Sequence, residues 1–248
     1  MNMIEINNLN FGYKEKVIFE NLNLNIRKNN FITILGENSS GKSTLARLIK
    51  DKYNGITIND NNICYISSNP DNHIIGKDVK SQLLYYLKKE SISLSERKKM
   101  VDDVIKDFSF ENIVNCDPFE LSNELKQMIV LLSYFICDYR VIIIDDAMGY
   151  LSSKNKKKII KYLKQKKRTI INITNNSDEC LYGEYTGIIN NKSITIKKNK
   201  EIFKNEKIFL DNNIRIPFMV ELSQKLKCYE LIDDIILELN EMVDIIWN

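Results

Sequence analysis

Gly36-Glu37-Asn38-Ser39-Ser40-Gly41-Lys42-Ser43-Thr44 decides how this chain is read. The nine residues complete the phosphate-loop pattern G-x-x-x-x-G-K-[ST]. They follow Phe31-Ile32-Thr33-Ile34-Leu35, an apolar β-leaning run that predicts a buried strand. They open onto Leu45-Ala46-Arg47-Leu48-Ile49-Lys50, which predicts a helix. In that context successive backbone N–H groups face one concavity, and the helix N-terminus adds partial positive charge. Gly36 and Gly41 permit backbone shapes that a Cβ would obstruct. Lys42 can reach the β- and γ-phosphates of a nucleotide, and the Ser43 hydroxyl can ligate Mg²⁺. A chance match on a surface turn is the alternative, and the flanking strand and helix count against it. The expectation is a nucleoside triphosphate held by Gly36, Glu37, Asn38, Ser39, Ser40, Gly41, Lys42, Ser43 and Thr44.

Composition narrows the classes. A chain of 248 residues is one domain, or one domain with an appendage. Its 44% hydrophobic and 28% charged content suits a soluble globular protein, and a net charge of +3 is too small to argue for nucleic acid. Five cysteines (Cys64, Cys116, Cys137, Cys180, Cys228) show no C-x-x-C spacing, and there is one histidine. Reduced thiols are therefore expected in place of a metal centre. Met1-Asn2-Met3-Ile4-Glu5 has no signal-peptide pattern. The longest strongly apolar stretch, 129–137, falls far short of the ~20 residues of a membrane span, so any membrane role is expected through a partner.

Asn21-Leu22-Asn23-Leu24-Asn25-Ile26 alternates polar and apolar, as a half-buried antiparallel strand does, with 4–6 and 17–19 expected as its neighbours. Ile63-Cys64-Tyr65-Ile66 predicts a buried strand. The pattern is helical from Asp78 to about Phe108, within 121–137, and over 154–167. Val141-Ile142-Ile143-Ile144 ends in Asp145-Asp146, the profile of a parallel strand delivering carboxylates at its C-terminal end. Thr169-Ile170-Ile171-Asn172-Ile173 is another strand, 188–196 a hairpin around Asn190-Asn191-Lys192, and 216–246 two helices. Alternating strands and helices imply a parallel α/β core, whose ligands bind beyond the carboxyl ends of the strands. Leu35 and Ile144 end two such strands, which would bring Lys42 and Asp145 around one site. Asp145 fits the Mg²⁺-organising aspartate of phosphate-loop NTPases.

The order and spacing of these motifs resemble the ATP-binding cassette family along essentially 1–248. Tyr13, in Asn10-Phe11-Gly12-Tyr13, falls where that family places an aromatic that stacks on adenine; plain core packing is the alternative. Leu121-Ser122, in front of a long helix, falls on the signature motif L-S-G-G-Q. Ser68-Asn69-Pro70-Asp71-Asn72-His73 falls on the glutamine loop and is similar to the N-P-D-N-Q segment of the ATPases of energy-coupling-factor transporters. Glu201-Ile202-Phe203 and Ile216-Pro217-Phe218-x-x-Glu221-Leu222-Ser223-x-x-Leu226 are similar to the C-terminal extension of that subgroup.

The resemblance implies an α/β phosphate-loop NTPase core with a parallel sheet, an antiparallel β subdomain, a helical subdomain at about 77–137 and a small C-terminal helical extension. It divides the chain into a nucleotide-binding domain, 1–190, and an extension, 191–248. It implies Mg²⁺ on Ser43 and Asp145, and ATP between one subunit's phosphate loop and the signature of a second ABC ATPase subunit, with Ser122 as this chain's contribution. It also implies a transmembrane coupling protein, a peripheral position on the cytoplasmic face of the membrane, and import of a vitamin or metal cation.

The chain departs from the family at residues that carry catalysis. Its signature reads Leu121-Ser122-Asn123-Glu124-Leu125. A carboxylate at Glu124, in the first helical turn, interacts favourably with the helix dipole and competes there with a γ-phosphate. Alternatively Ser122 is an ordinary N-cap with an acidic turn behind it. Asp146 stands where the family has its catalytic glutamate, and is one methylene shorter, about 1.5 Å of reach. It is the weak general-base candidate, or only helps organise Mg²⁺. Asn175 stands at the switch-histidine position, where it can hydrogen-bond a phosphate but carries no protonic charge. Ser68 replaces the glutamine and Ser152 the D-loop aspartate.

Lone His73 is expected as a loop or coupling-surface residue. The nine basic residues of 154–168, with no acidic one, are expected as a solvated helix face, or else as a patch drawn to an anionic membrane. Asn175-Asn176-Ser177-Asp178 lacks the lysine of the guanine-reading motif. Two rival functions stand beside the importer reading: a catalytically inactive structural cassette in a heterodimer, and a soluble ATPase outside transport.

Overall fold

The computed structural model describes residues 1–14 and 16–247, the side chain of Trp247 excepted. In chain order its strands and α-helices are β1 (Asn2–Tyr13), β2 (Lys16–Arg27), β3 (Phe31–Leu35), α1 (Lys42–Lys50), β4 (Ile56–Ile58), β5 (Ile63–Ile66), α2 (Val79–Leu87), α3 (Leu94–Phe108), α4 (Asn123–Phe135), β6 (Val141–Asp145), α5 (Ser153–Leu163), β7 (Thr169–Ile173), β8 (Tyr185–Asn190), β9 (Ser193–Lys198), α6 (Asn199–Ile202), α7 (Lys207–Leu210), α8 (Phe218–Cys228) and α9 (Leu239–Trp247). They fall into two compact units, Met1–Asn59 with Thr169–Asn248, and Asp60–Arg168.

In the first unit all five residues of β3 are buried, as a strand covered on both faces must be. It lies parallel between β7 and β8, with Ile34 opposite Ile173 on one side and Gly187 on the other. The hairpin expected at 188–196 is present as β8 and antiparallel β9. Asn191 and Lys192 turn it with φ of 45° and 62°, the type I′ geometry that matches strand twist. The boundary expected at 191 therefore falls inside a hairpin. β1 pairs antiparallel with β2 and β4.

One strand expectation is corrected here. Residues 17–19 are not a neighbour of 21–26 but the same strand, β2. Asn21 passes through φ 49° and donates its N–H to Asn10 Oδ1 at 2.8 Å, a bulge that keeps the strand running. Beyond it Leu22, Leu24 and Ile26 alternate inward as read from the sequence.

The C-terminal segments pack a core of Ile202, Phe203, Phe209, Ile214 and Val220 against Leu35 and Ile188. Leu35 is the last residue of β3, so the extension is seated on the strand that feeds the phosphate loop. Of the two expected tail helices, α8 and α9 are both present.

In the second unit β5 and β6 pair in parallel, Ile66 opposite Ile144. The helical pattern at 78–108 is two helices. The first ends at Leu87, and Ser93 starts α3 with a capping box: its Oγ accepts from Glu96 N at 3.2 Å, and Glu96 Oε2 accepts from Ser93 N at 2.9 Å. Asp78 and Ser81 cap α2 in the same way. Every residue of α4 from Lys126 to Phe135 is buried.

The basic run at 154–168 is more than a solvated face. Arg168, 3% exposed, donates to the carbonyls of Phe135 at 2.7 Å and Cys137 at 2.6 Å. Lys166 donates to Ile136 O at 2.9 Å. Two cations thus close the C-terminal end of α4, where orphan carbonyls and the negative dipole end favour them. Lys158 lies over the Phe108 ring at 4.6 Å. Arg168→Ala orphans two carbonyls and empties the space of a buried side chain, so it is expected to cost about 2 kcal/mol, less whatever the buried charge itself costs. Urea unfolding of the full chain measures it.

Candidate functional site

Each unit carries its own candidate residues. In the first, the chain leaves β3 at Leu35, crosses Gly36 to Gly41 and enters α1 at Lys42. Gly41 is the N-cap of α1 at φ 103°, and no side chain caps that helix. A Cβ on Gly41 would sit 2.6 Å from Ile18 Cγ2, so the glycine is required by both conformation and space. Ser39 turns the loop at φ 65°. Lys42 Nζ folds back to donate to Gly36 O and Glu37 O, both at 2.7 Å. Ser40 Oγ is buried against Gly36 and meets no protein partner. An ammonium turned over the loop, an uncapped helix N-terminus and an unpaired buried hydroxyl fit a phosphate group. Ser43 is exposed at the first turn of α1.

Tyr13 ends β1 with 51% of its surface exposed, its ring edge-on to Phe11 at 5.0 Å. It is therefore not core, and its face is open to a planar partner. Asn175 is exposed directly after β7; the preceding Thr174 donates its N–H to Ile34 O at 3.1 Å. Asn175 and the phosphate loop thus leave adjacent strands at the same C-terminal edge of the sheet, the edge at which such sheets bind ligands.

In the second unit, Ser68 follows β5, Asp145 ends β6 and Asp146 follows it. Asp145 is 5% exposed, and its Oδ2 accepts from Tyr65 Oη at 2.8 Å. Tyr65 orients the carboxylate, and the sequence offered no signal for it beyond an aromatic on the neighbouring strand. A buried carboxylate is a hard oxygen donor of the kind Mg²⁺ prefers. Asp146 is exposed and adopts φ 53°, an uncommon conformation for a residue with a Cβ.

The signature segment has a definite structure. Ser122 is the N-cap of α4, its Oγ accepting from Leu125 N at 3.4 Å. Glu124 is committed within the unit: its Oε1 accepts from Ser152 N and from Asn155 Nδ2, both at 2.8 Å. Those hydrogen bonds, the backbone one foremost, hold its carboxyl below the usual glutamate range. A depressed pKa stabilises the fold above the carboxylate's ordinary value, and that stability is lost as pH falls through the folded-state value. Glu124→Ala is therefore expected to lower the melting temperature at pH 7, with the gap to the parent chain closing in acid. A melting series from pH 7 to pH 3 checks it.

The coupling-surface expectation for His73 is corrected. The residue is 8% exposed and ends the 3₁₀ turn Pro70–His73. Its Nε2 accepts from Ser67 N at 3.0 Å, leaving Nδ1 to meet Tyr134 Oη at 3.0 Å. Gln82 donates to His73 O at 3.1 Å, while its Oε1 accepts from Ile75 and Gly76 N–H. Asp71 pairs with Lys126 at 3.1 Å. The histidine pins the loop after β5 onto α2 and α4. Burial pushes the Cys137 and Cys180 thiols up to about 12, which suits packing and not nucleophilic chemistry.

Residues 19–149 match the family model described as "ABC transporter". The chain belongs to that family, and within it to the energy-coupling-factor ATP-binding proteins. A relative, the energy-coupling factor transporter ATP-binding protein EcfA1 of Ligilactobacillus salivarius, is 32% identical over 91% of this chain and 88% of its own length. Two solved structures share the fold. CbiO1 of Clostridium perfringens, part of the ABC transporter complex cbiONQ, superposes with a TM-score of 0.69 at 20% identity, over 90% of this chain and 99% of its own. The ATP-binding cassette MJ0796, as a dimer in a post-hydrolysis state bound to ADP and Pi, has a TM-score of 0.67 at 21% identity, over 79% and 98%. The fold is thus the α/β ABC ATPase fold, with a mixed sheet and an antiparallel β subdomain, as the resemblance implied.

Proposed function

We propose that this chain is the ATP-binding, energy-coupling subunit of an energy-coupling-factor importer for a vitamin or metal cation, with slow hydrolysis at its own phosphate loop. The observation that carries the binding claim is the loop itself, with Lys42 turned over Gly36 and Glu37 and Ser40 Oγ unpaired. Lys42 and the loop N–H groups would hold the phosphates, Tyr13 the adenine, and Ser43 with Asp145 the Mg²⁺. Bound Mg-ATP would supply the charge that draws a second cassette, with Ser122 facing that partner's nucleotide. The relatives are named as parts of energy-coupling-factor and ABC transporter complexes, and a cassette of the same fold is a dimer, which supports a second ATPase subunit and a transmembrane coupling protein as partners. No described helix is long and apolar enough to cross a membrane; the named transporter complexes of the relatives support a peripheral position on the cytoplasmic face through those partners.

Exposed Ser68, Asp146 and Asn175 support the slow-hydrolysis part. None offers the reach or the protonatable ring of the residue the family uses there. The inactive-clamp reading draws on Glu124, whose carboxylate is fastened inside the chain at the signature helix. Affinity purification from native membranes tests the proposal. A stoichiometric second ATPase with an intact L-S-G-G-Q and a membrane protein are expected; recovery as a soluble protein free of both counts against it.

A further inference from the structure

The C-terminal extension reaches the phosphate loop. Asn213 Nδ2 donates to Glu37 Oε1 at 2.5 Å, across 176 residues of sequence. Asn213 is not on a loose tail. It sits at φ 49°, between Asn213 N donating to Leu210 O at 3.0 Å and Ile214 N donating to Phe209 O at 2.9 Å. Those two bonds make a Schellman motif with Asn213 at the left-handed position. Its hydrophobic pair, Phe209 and Ile214, is buried on Leu35, the residue before the loop. The amide is therefore presented from a rigid turn anchored to the loop's own base. Asn213 and Glu37 also line one cleft of about 300 Å³, with Lys16, Ser40, Lys192 and Asp211.

We infer that Asn213 is a positioning residue for nucleotide binding, acting through Glu37. The inference rests on the phosphate loop being the ATP site. Glu37 is a carboxylate inside a loop built to receive an anion, and its own backbone carbonyl lies 2.7 Å from Lys42 Nζ. Released, that carboxylate is free to pair with the ammonium that the phosphates need, and the loop loses a restraint that favours binding by pre-organisation. Held by Asn213, it faces the extension instead. The extension thereby becomes part of the nucleotide site, and a partner that shifts 207–214 shifts ATP affinity.

Asn213→Gly is the informative variant, because glycine keeps the left-handed turn while removing the amide. Calorimetric titration of the full chain with Mg-ATP should show about three- to tenfold weaker binding for Asn213→Gly. In a Glu37→Ala background, where neither the carboxylate nor its bond to Asn213 remains, the same change should weaken binding by less than about twofold. Unchanged affinity for Asn213→Gly, or an equal loss in both backgrounds, overturns the inference while leaving ATP binding intact. A parent chain that does not bind Mg-ATP removes the reading beneath it, and the inference with it.

Discussion

Lys42→Ala abolishes measurable ATP binding at concentrations that saturate the parent chain, a loss of at least about 100-fold. Lys42 Nζ already occupies the loop, bonded to Gly36 O and Glu37 O. A phosphate that enters exchanges those neutral carbonyls for charged oxygens. Charge-assisted hydrogen bonds are worth about 1.5–3 kcal/mol each, and every 1.4 kcal/mol is tenfold. Fluorescent-nucleotide titration of both chains measures the loss, with cooperative thermal unfolding of the variant as the control for its fold. Only a small change in affinity would mean that the nucleotide binds elsewhere.

Asp146→Glu combined with Asn175→His raises ATP turnover of the assembled complex, by about 10²-fold where both cassettes engage. Asp146 is exposed at the end of β6, and its carboxylate stops one methylene short of the family glutamate. A displacement of ~1 Å at a reacting centre costs ~10²-fold, which sets the scale of the gain. Asn175 leaves the edge of the sheet that carries the phosphate loop, so an imidazole there adds a group that can be cationic near neutral pH. Phosphate release under steady-state conditions is the readout. No gain from the pair would mean that neither residue limits turnover at this chain's own phosphate loop.

What the sequence disclosed and what it withheld divide along a physical line. β3, its loop and α1 were legible because local pattern and backbone need agree there: an apolar run, two glycines and a periodic helix. The turn at Asn191-Lys192 was legible for the same reason. The single strand across 16–27 was not, because the bulge at Asn21 depends on Asn10 from the neighbouring strand. Nor were the roles of Arg168 and His73. Each is a polar side chain whose partners, the end of α4 and Tyr134, come together only in the tertiary structure. Charge patterning alone made the first a solvated cation, and a lone histidine in a polar loop looked exposed. Tyr65 beside Asp145 and Asn213 beside Glu37 are long-range pairs of the same kind.

The proposed function stands on ATP being bound at 36–44 and turned over slowly. Equilibrium binding of Mg-ATP and phosphate release, measured on one preparation of the purified complex, test it most directly. Saturable binding that Lys42→Ala removes is expected, with release at this chain's own site far below that of an intact cassette. Turnover at the ordinary rate of an intact cassette, abolished by Asp146→Ala, would contradict it.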